Sequence, residues 1–185
     1  MQISKPDKFY DLVVVGGGMV GASFCCALEE ALGENSLSIL VIEAILPNAN
    51  SAKQSSFDAR STALSFGSRK FFEGIGLWQA LDDAVSAIHE IQISDRGRLG
   101  SVEINRNEQN VEALGYVVEN KRLGQVLNSR LNESGKINFL CPALVSSVKA
   151  TEKGMQLGLQ HGDTETSVDA SLVVLADGGK SPVCE

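Results

Sequence analysis

Short apolar runs alternate with longer segments of helical spacing along this chain. Residues Phe9–Val15 are almost continuously apolar and end in glycine, the pattern of a buried strand. In Met19–Leu32 the apolar positions Val20, Phe24, Ala27, Leu28, Ala31 and Leu32 recur at helical spacing, and Gly33 supplies a stop. A second apolar run, residues 37–42, closes on Glu43. Strand, glycine turn, helix and strand in this order predict a right-handed βαβ unit over about residues 9–43.

A polar loop rich in Asn, Ser and Gln follows over 47–56. Helices are expected over 62–74 and 77–85, split by Gly74-Ile75-Gly76. Residues 88–94 and 101–105 read as strands around a glycine turn at 96–100, and 116–119 as another strand. Leu123 and Leu127 share one face of a helix predicted over 121–131. Strands are expected at 137–140, 144–150, 155–159 and 166–168, the last of them forming a meander. A final apolar strand, 172–175, runs into Ala176-Asp177-Gly178-Gly179. No internal repeat or low-complexity tract interrupts this order. The chain reads as a nucleotide-binding unit, an insertion over about 88–118, and a return to the parallel sheet.

Composition narrows the classes. The 185 residues suffice for one domain with a core, or one domain and part of a second. A net charge of -7, with no block of Lys or Arg, argues against a nucleic-acid partner. Residues 1–11 are polar and charged, so no secretory signal is expected. No apolar run approaches the roughly 20 residues of a membrane span, which leaves only peripheral membrane contact. The four cysteines, Cys25, Cys26, Cys141 and Cys184, form no C-x-x-C pair, and only two histidines accompany them, so no metal site is expected. Cys25 and Cys26 read as small packing residues of the first helix, and the setting as reducing and cytoplasmic.

The candidate chemistry begins at Gly16-Gly17-Gly18-Met19-Val20-Gly21, a G-x-G-x-x-G turn through Gly16, Gly18 and Gly21. Gly16 permits the tight turn out of the strand, Gly18 lets backbone approach a pyrophosphate, and Gly21 lets helix and strand pack closely. The helix N-terminus then offers free N–H groups and a positive dipole end to phosphates. Glu43 follows the second strand, where a carboxylate accepts hydrogen bonds from ribose hydroxyls and repels a 2′-phosphate. The competing reading makes Glu43 a solvated strand end. The turn does not choose between flavin and nicotinamide dinucleotides.

Three later segments bear on that choice. They are Phe57-Asp58-Ala59-Arg60-Ser61-Thr62-Ala63-Leu64-Ser65; Ile93-Ser94-Asp95-Arg96-Gly97 with Leu114-Gly115-Tyr116-Val117-Val118-Glu119-Asn120; and Val173-Val174-Leu175-Ala176-Asp177-Gly178-Gly179-Lys180-Ser181. In this order they resemble the single-component flavoprotein hydroxylases of the para-hydroxybenzoate hydroxylase type, and within them the ubiquinone-biosynthesis branch, over nearly the whole chain. The resemblance implies an α/β fold: a Rossmann-like FAD-binding domain in three layers, with a parallel sheet and a β-meander. It implies FAD as cofactor, NADPH or NADH as reductant, O2 as co-substrate, and a polyprenylated phenol as the ring hydroxylated. A multi-protein ubiquinone-biosynthesis complex is the partner such an enzyme would have. The insertion would belong to the substrate-side sheet. The family's later Gly-Asp motif, substrate-covering sheet and C-terminal region are expected beyond Glu185, so the chain reads as the front part of a hydroxylase, inactive alone.

Residue by residue, the resemblance places Arg60 near the flavin and its phosphates, where a fixed cation offsets pyrophosphate charge. It places Asp177 and Gly178 against the cofactor from a strand end, with Gly179 also giving close backbone approach and Ser181 capping the next helix. Asn120 stands where many relatives carry an arginine facing FAD; an amide can hydrogen-bond the flavin side but brings no charge. The flavin carries the chemistry, so no catalytic side chain is expected. His89 and His161 have no nucleophile set around them. Asp95-Arg96-Gly97-Arg98 is read as a structural turn and Trp78 as helix packing. The alternatives are another FAD-dependent oxidoreductase, of the amine oxidase or dehydrogenase type, and a non-catalytic flavin-binding scaffold subunit.

Overall fold

The computed structural model describes residues 9–45, 57–97 and 99–178. The predicted loop at 47–56, together with Arg98, Gly179, Ser181 and Cys184, lies outside them. In chain order the elements are β1 (Phe9–Val15), α1 (Met19–Leu32), β2 (Ile39–Ile42), β3 (Ser61–Ser65), α2 (Phe66–Gly74), β4 (Val85–Ile88), β5 (Glu90–Ser94), β6 (Ser101–Asn105), β7 (Gly115–Glu119), α3 (Asn120–Ser134), β8 (Ile137–Leu140), β9 (Leu144–Thr151), β10 (Gly154–His161) and β11 (Thr164–Leu175). The chain divides into two compact units: Met1–Asp58 with Leu127–Glu185, and Ala59–Val126.

In the first unit a six-stranded sheet has the order β8-β2-β1-β11-β10-β9. Strands β8, β2, β1 and β11 run parallel, while β10 and β9 run antiparallel. Parallel strands are covered on both faces and so read as continuous apolar runs; all four residues of β2 are buried. Tyr10, Val13, Val15, Leu40 and Ile42 of the parallel strands pack against Val145, Leu157, Leu159, Val168 and Ala170 of the meander. Leu157 is wholly buried, and truncating such a leucine to alanine costs about 2–5 kcal/mol.

β11 is the hinge of this architecture. Its first part pairs with β10, from Thr164↔His161 to Ala170↔Met155, and its second part pairs with β1, from Asp169↔Phe9 to Leu175↔Val15. The strands expected separately at 166–168 and 172–175 are therefore one continuous strand, in which polar Asp169 and Ser171 are exposed rather than marking a break.

The buried residues of α1 are Gly21, Ala22, Cys25 and Cys26. This corrects the stripe read from the sequence: Val20 is 71% and Phe24 37% exposed. The helix packs by its small residues, which let it approach closely.

In the second unit β3, β7 and β4 form an antiparallel sheet, and β5 pairs with β6. The helix expected over 62–74 begins instead at Phe66, and Ser61–Ser65 is a strand paired with β7 through Thr62↔Val118 and Leu64↔Tyr116. Ser65 ends that strand and caps α2, its hydroxyl oxygen accepting the Ser68 N–H at 3.1 Å. The helix expected over 77–85 is replaced by two single 3-10 turns, Trp78–Ala80 and Asp82–Ala84, and by β4. The strand predicted over 88–94 is β5, beginning at Glu90, with His89 separating it from Ile88 at the end of β4. Trp78 is buried, but in a 3-10 turn, with its ring edge-on to Tyr116 at 4.9 Å and the Arg69 guanidinium 5.4 Å from its centroid.

Candidate functional site: a glycine-rich crevice at the carboxyl edge of the sheet

The four parallel strands end together: Val15 is level with Ile42 and Leu175, and Ile42 with Leu140. The chain leaves β1 for β2 on one side and returns as β11 on the other, so the strand order reverses at β1. Open α/β sheets bind ligands outside the carboxyl ends of strands at such a switch point.

Gly16 turns the chain out of β1 at φ +99, a conformation that a side chain disfavours, and its N–H donates to the Ile42 carbonyl at 2.8 Å. A Cβ on Gly16 would stand 2.7 Å from the Ala176 carbonyl, and one on Gly21 would stand 2.0 Å from the Gly16 oxygen. Gly16 thus admits the end of β11, and Gly21 admits the turn itself. Gly18 is the N-cap of α1, at φ −69 and ψ −170, which any residue can adopt. It brings no side-chain cap, and the first turn of α1 holds no acidic residue. The positive end of the helix is left open to an anion.

Glu43 is half-buried at the end of β2. One carboxylate oxygen accepts the Gly17 N–H at 2.7 Å, and the other accepts the Ile45 N–H at 2.9 Å. The backbone of Glu43 is bracketed as well: its N–H donates to Leu140 at 3.0 Å, and its carbonyl accepts the Ala143 N–H at 2.9 Å. A carboxylate has about four lone-pair positions. Two remain for hydroxyl donors, and the solvated-strand-end reading does not describe this residue.

On the other side of β1, the Ala176 N–H donates to the Val15 carbonyl at 2.7 Å. Asp177 follows, exposed, and Gly178 stands at φ +85 with open space where a Cβ would point. Gly16, Gly18, Gly21, Glu43, Asp177 and Gly178 are therefore grouped at one edge of the first unit.

Arg60 and Asn120 belong to the second unit. The Asn120 N–H donates to the Arg60 carbonyl at 2.9 Å, and the Thr62 hydroxyl donates to the Asn120 side-chain oxygen at 2.5 Å. Asn120 is 4% exposed, the one buried polar or charged residue among those described. Arg60 is exposed.

One part of the crevice wall escaped the sequence reading, the segment Cys141-Pro142-Ala143 after β8. The Cys141 thiol is pushed up to about 11, by burial first and by the Glu43 charge second. The ring of His161 also reaches this segment, its Nδ1 lying 2.6 Å from the Pro142 carbonyl oxygen. Nothing local in the sequence signalled that bond, because Pro142 lies between β8 and β9 and His161 at the end of β10. His89 is exposed, and its carbonyl accepts the Arg106 N–H.

These features define a dinucleotide-binding α/β domain: glycines where Cβ atoms would collide, an uncapped helix N-terminus, and a carboxylate with spare acceptor positions. The family follows from comparison. The family model described as FAD binding domain matches residues 10–185, and the chain belongs to that family. It is 33% identical over 179 residues to the ubiquinone hydroxylase UbiL of Rhodospirillum rubrum, covering 97% of this chain and 39% of that protein. It is 29% identical over 182 residues to the ubiquinone biosynthesis monooxygenase COQ6 of Caenorhabditis elegans, covering 95% of this chain and 39% of that protein. The chain thus spans about two fifths of the length of these relatives. Its fold matches the crystal structure of p-nitrophenol 4-monooxygenase PnpA from Pseudomonas putida with a TM-score of 0.75 at 16% identity, over 95% of this chain and 43% of that one. The parallel sheet with its meander is the FAD-binding fold of these monooxygenases, and the cofactor of the family is FAD.

Proposed function

We propose that this chain forms the FAD-binding part of a flavin-dependent monooxygenase. The enzyme hydroxylates a polyprenylated phenol of ubiquinone biosynthesis, of the 2-octaprenyl-6-methoxyphenol type, using NAD(P)H and O2. The observation that carries this reading is the latch between Glu43 and the glycine turn at the carboxyl edge, in a chain whose relatives are ubiquinone hydroxylases. Bound FAD supplies the redox and oxygen chemistry. The residues of the chain hold and shape it. The N-terminus of α1 and the bare backbone at Gly18 receive the pyrophosphate. Glu43 accepts the ribose hydroxyls with its two remaining lone pairs. Asp177 and Gly178 approach from the end of β11. Arg60 offsets phosphate charge, and Asn120 lies on the flavin side.

The exposed apolar face of the β5–β6 hairpin, with Ile93 54% and Val102 61% exposed, belongs to the substrate side in this reading. Among the described residues no helix is long and apolar enough to cross a membrane. A greasy substrate brings such an enzyme to the membrane surface, where a multi-protein ubiquinone-biosynthesis complex is its setting. The first test is the visible absorption spectrum of the purified chain, with and without added FAD. A flavin spectrum that survives desalting supports the reading. A folded, colourless protein that ignores FAD sinks it, and counts equally against a flavin-binding scaffold. The activity is tested by NADH or NADPH consumption matched to hydroxylated polyprenyl phenol. NAD(P)H consumption without that product counts against the substrate.

A further inference from the structure

We infer that His161 is a positioning residue for the adenosine side of the crevice, acting through Pro142 on the Glu43 latch. This rests on the reading that the crevice holds FAD. His161 closes β10, on the meander, where it pairs with Thr164. Its Nδ1 lies 2.6 Å from the Pro142 oxygen. A carbonyl only accepts, so Nδ1 carries the proton in this contact. Pro142 has no N–H of its own to anchor the segment between β8 and β9. The residues beside it are anchored on Glu43 instead: the Glu43 N–H donates to Leu140 at 3.0 Å, and the Ala143 N–H donates to the Glu43 carbonyl at 2.9 Å. The Glu43 carboxylate in turn holds Gly17 at 2.7 Å. Three hydrogen bonds, joined by the Pro142–Ala143 peptide and by Glu43 itself, thus lead from the meander to the strand end proposed to meet the ribose and to the turn proposed to meet the pyrophosphate. His161 is half-buried, and it meets the segment after β8 through Pro142. Its part is to fix where Glu43 stands.

Three variants separate the donor from the shape of the ring. In Asn the side-chain NH2 stands near the place of Nδ1–H, Phe keeps the ring without a donor, and Ala removes both. Dissociation constants for FAD and for ADP are measured on the whole chain by fluorescence and calorimetry. Amide hydrogen exchange at Gly17 and Ala143 is followed without any ligand. We expect His161→Ala and His161→Phe to weaken FAD and ADP by the same factor, about 3- to 10-fold, the worth of one hydrogen bond. Faster exchange at Gly17 and Ala143 should accompany the loss, and His161→Asn should recover most of both. Unchanged exchange in His161→Phe overturns the inference whether or not flavin binds. Full FAD and ADP affinity in His161→Phe overturns it equally, since the donor would then be dispensable. A parent chain that binds neither FAD nor ADP refutes the proposed function instead, and the exchange rates still decide whether His161 holds the latch.

Discussion

The Glu43 carboxylate receives the Gly17 amide at 2.7 Å, so the end of β2 holds the turn that follows β1. An acidic residue at this position thus holds the glycine turn without any ligand. Glu43→Ala leaves the Gly17 and Ile45 N–H groups without their acceptors, and Glu43→Gln faces one of them with an NH2. Both variants are expected to lose about 1–3 kcal/mol of unfolding free energy, and Glu43→Ala to weaken FAD by about 1.5–3 kcal/mol. Urea unfolding and flavin titration check the two effects. An unchanged FAD dissociation constant would confine Glu43 to structure.

Gly18 and Gly21 are expected to fail in different ways. Gly18→Val keeps an ordinary backbone conformation at the N-cap of α1, so the protein folds, but the added volume stands against the pyrophosphate and FAD binding is lost. Gly21→Ala meets the Gly16 oxygen at 2.0 Å and disturbs the turn itself. Circular dichroism with a flavin titration distinguishes them. A Gly18→Val protein that retains flavin as the parent does refutes the placement of the pyrophosphate.

Buried Asn120 and half-buried Thr62 form a pair, and each is satisfied by the other in part. Thr62→Val leaves the Asn120 oxygen without that donor. It should cost about 1–3 kcal/mol in chemical denaturation. Asn120→Ala should cost a similar amount, and the double variant less than the sum. Additive losses would show that the pair is not coupled.

Cys25 and Cys26 are buried, and burial pushes their thiols up to about 12 and about 11, with the neighbouring Cys26 adding to the rise at Cys25. Cys141 behaves likewise, at about 11. In a Cys184→Ser background these three thiols should resist an aromatic disulfide reagent at pH 8 until the protein unfolds. Rapid reaction of Cys25 or Cys26 in the folded protein would contradict the packing of α1.

Asp11 and Ser38 clasp the amino ends of β1 and β2. The Ser38 N–H and hydroxyl each donate to the Asp11 carboxylate at 2.8 Å, and together they hold its pKa below the ordinary 3.8, the backbone donor contributing most. A depressed carboxyl stabilises the fold at pH values above its unfolded pKa, and that contribution is lost as pH falls through the folded value. The difference in unfolding free energy between Asp11→Asn and the parent, read by urea unfolding at a series of pH values, should therefore be smaller well below pH 3.8 than at neutrality. A constant difference across that range would rule out the linkage.

The nucleotide unit was legible because its signals are local. The apolar run, the glycine turn and Glu43 lie within residues 9–43, and the structure keeps them as strand, turn, helix and strand end. Elements decided by distant partners were misread. Thr62, Ala63 and Leu64 carry no strand alternation of their own and become β3 because β7 offers them hydrogen bonds. Residues 77–85 have helical spacing, yet that segment is drawn into 3-10 turns and the β4–β7 pairing. The stripe through Val20 and Phe24 has the right period but not the right face, since close packing at Gly21 and Ala22 outweighs side-chain size. The contact of His161 with Pro142 was invisible because no local pattern encodes it.

β11 joins the meander to the parallel sheet, and its last residue, Leu175, is level with Val15 near the other end of the chain. During synthesis β1 can meet β2 early, but its opposite edge stays open until almost everything described has emerged. The edge is complete only when β11 lies beside β1 and Ala176 meets Val15. An exposed apolar strand edge waiting that long is a place where nascent chains stick to one another. Expression yield for this chain should therefore respond to whatever shortens or shields the wait, faster elongation or a chaperone at the open edge, more than to changes on the finished surface.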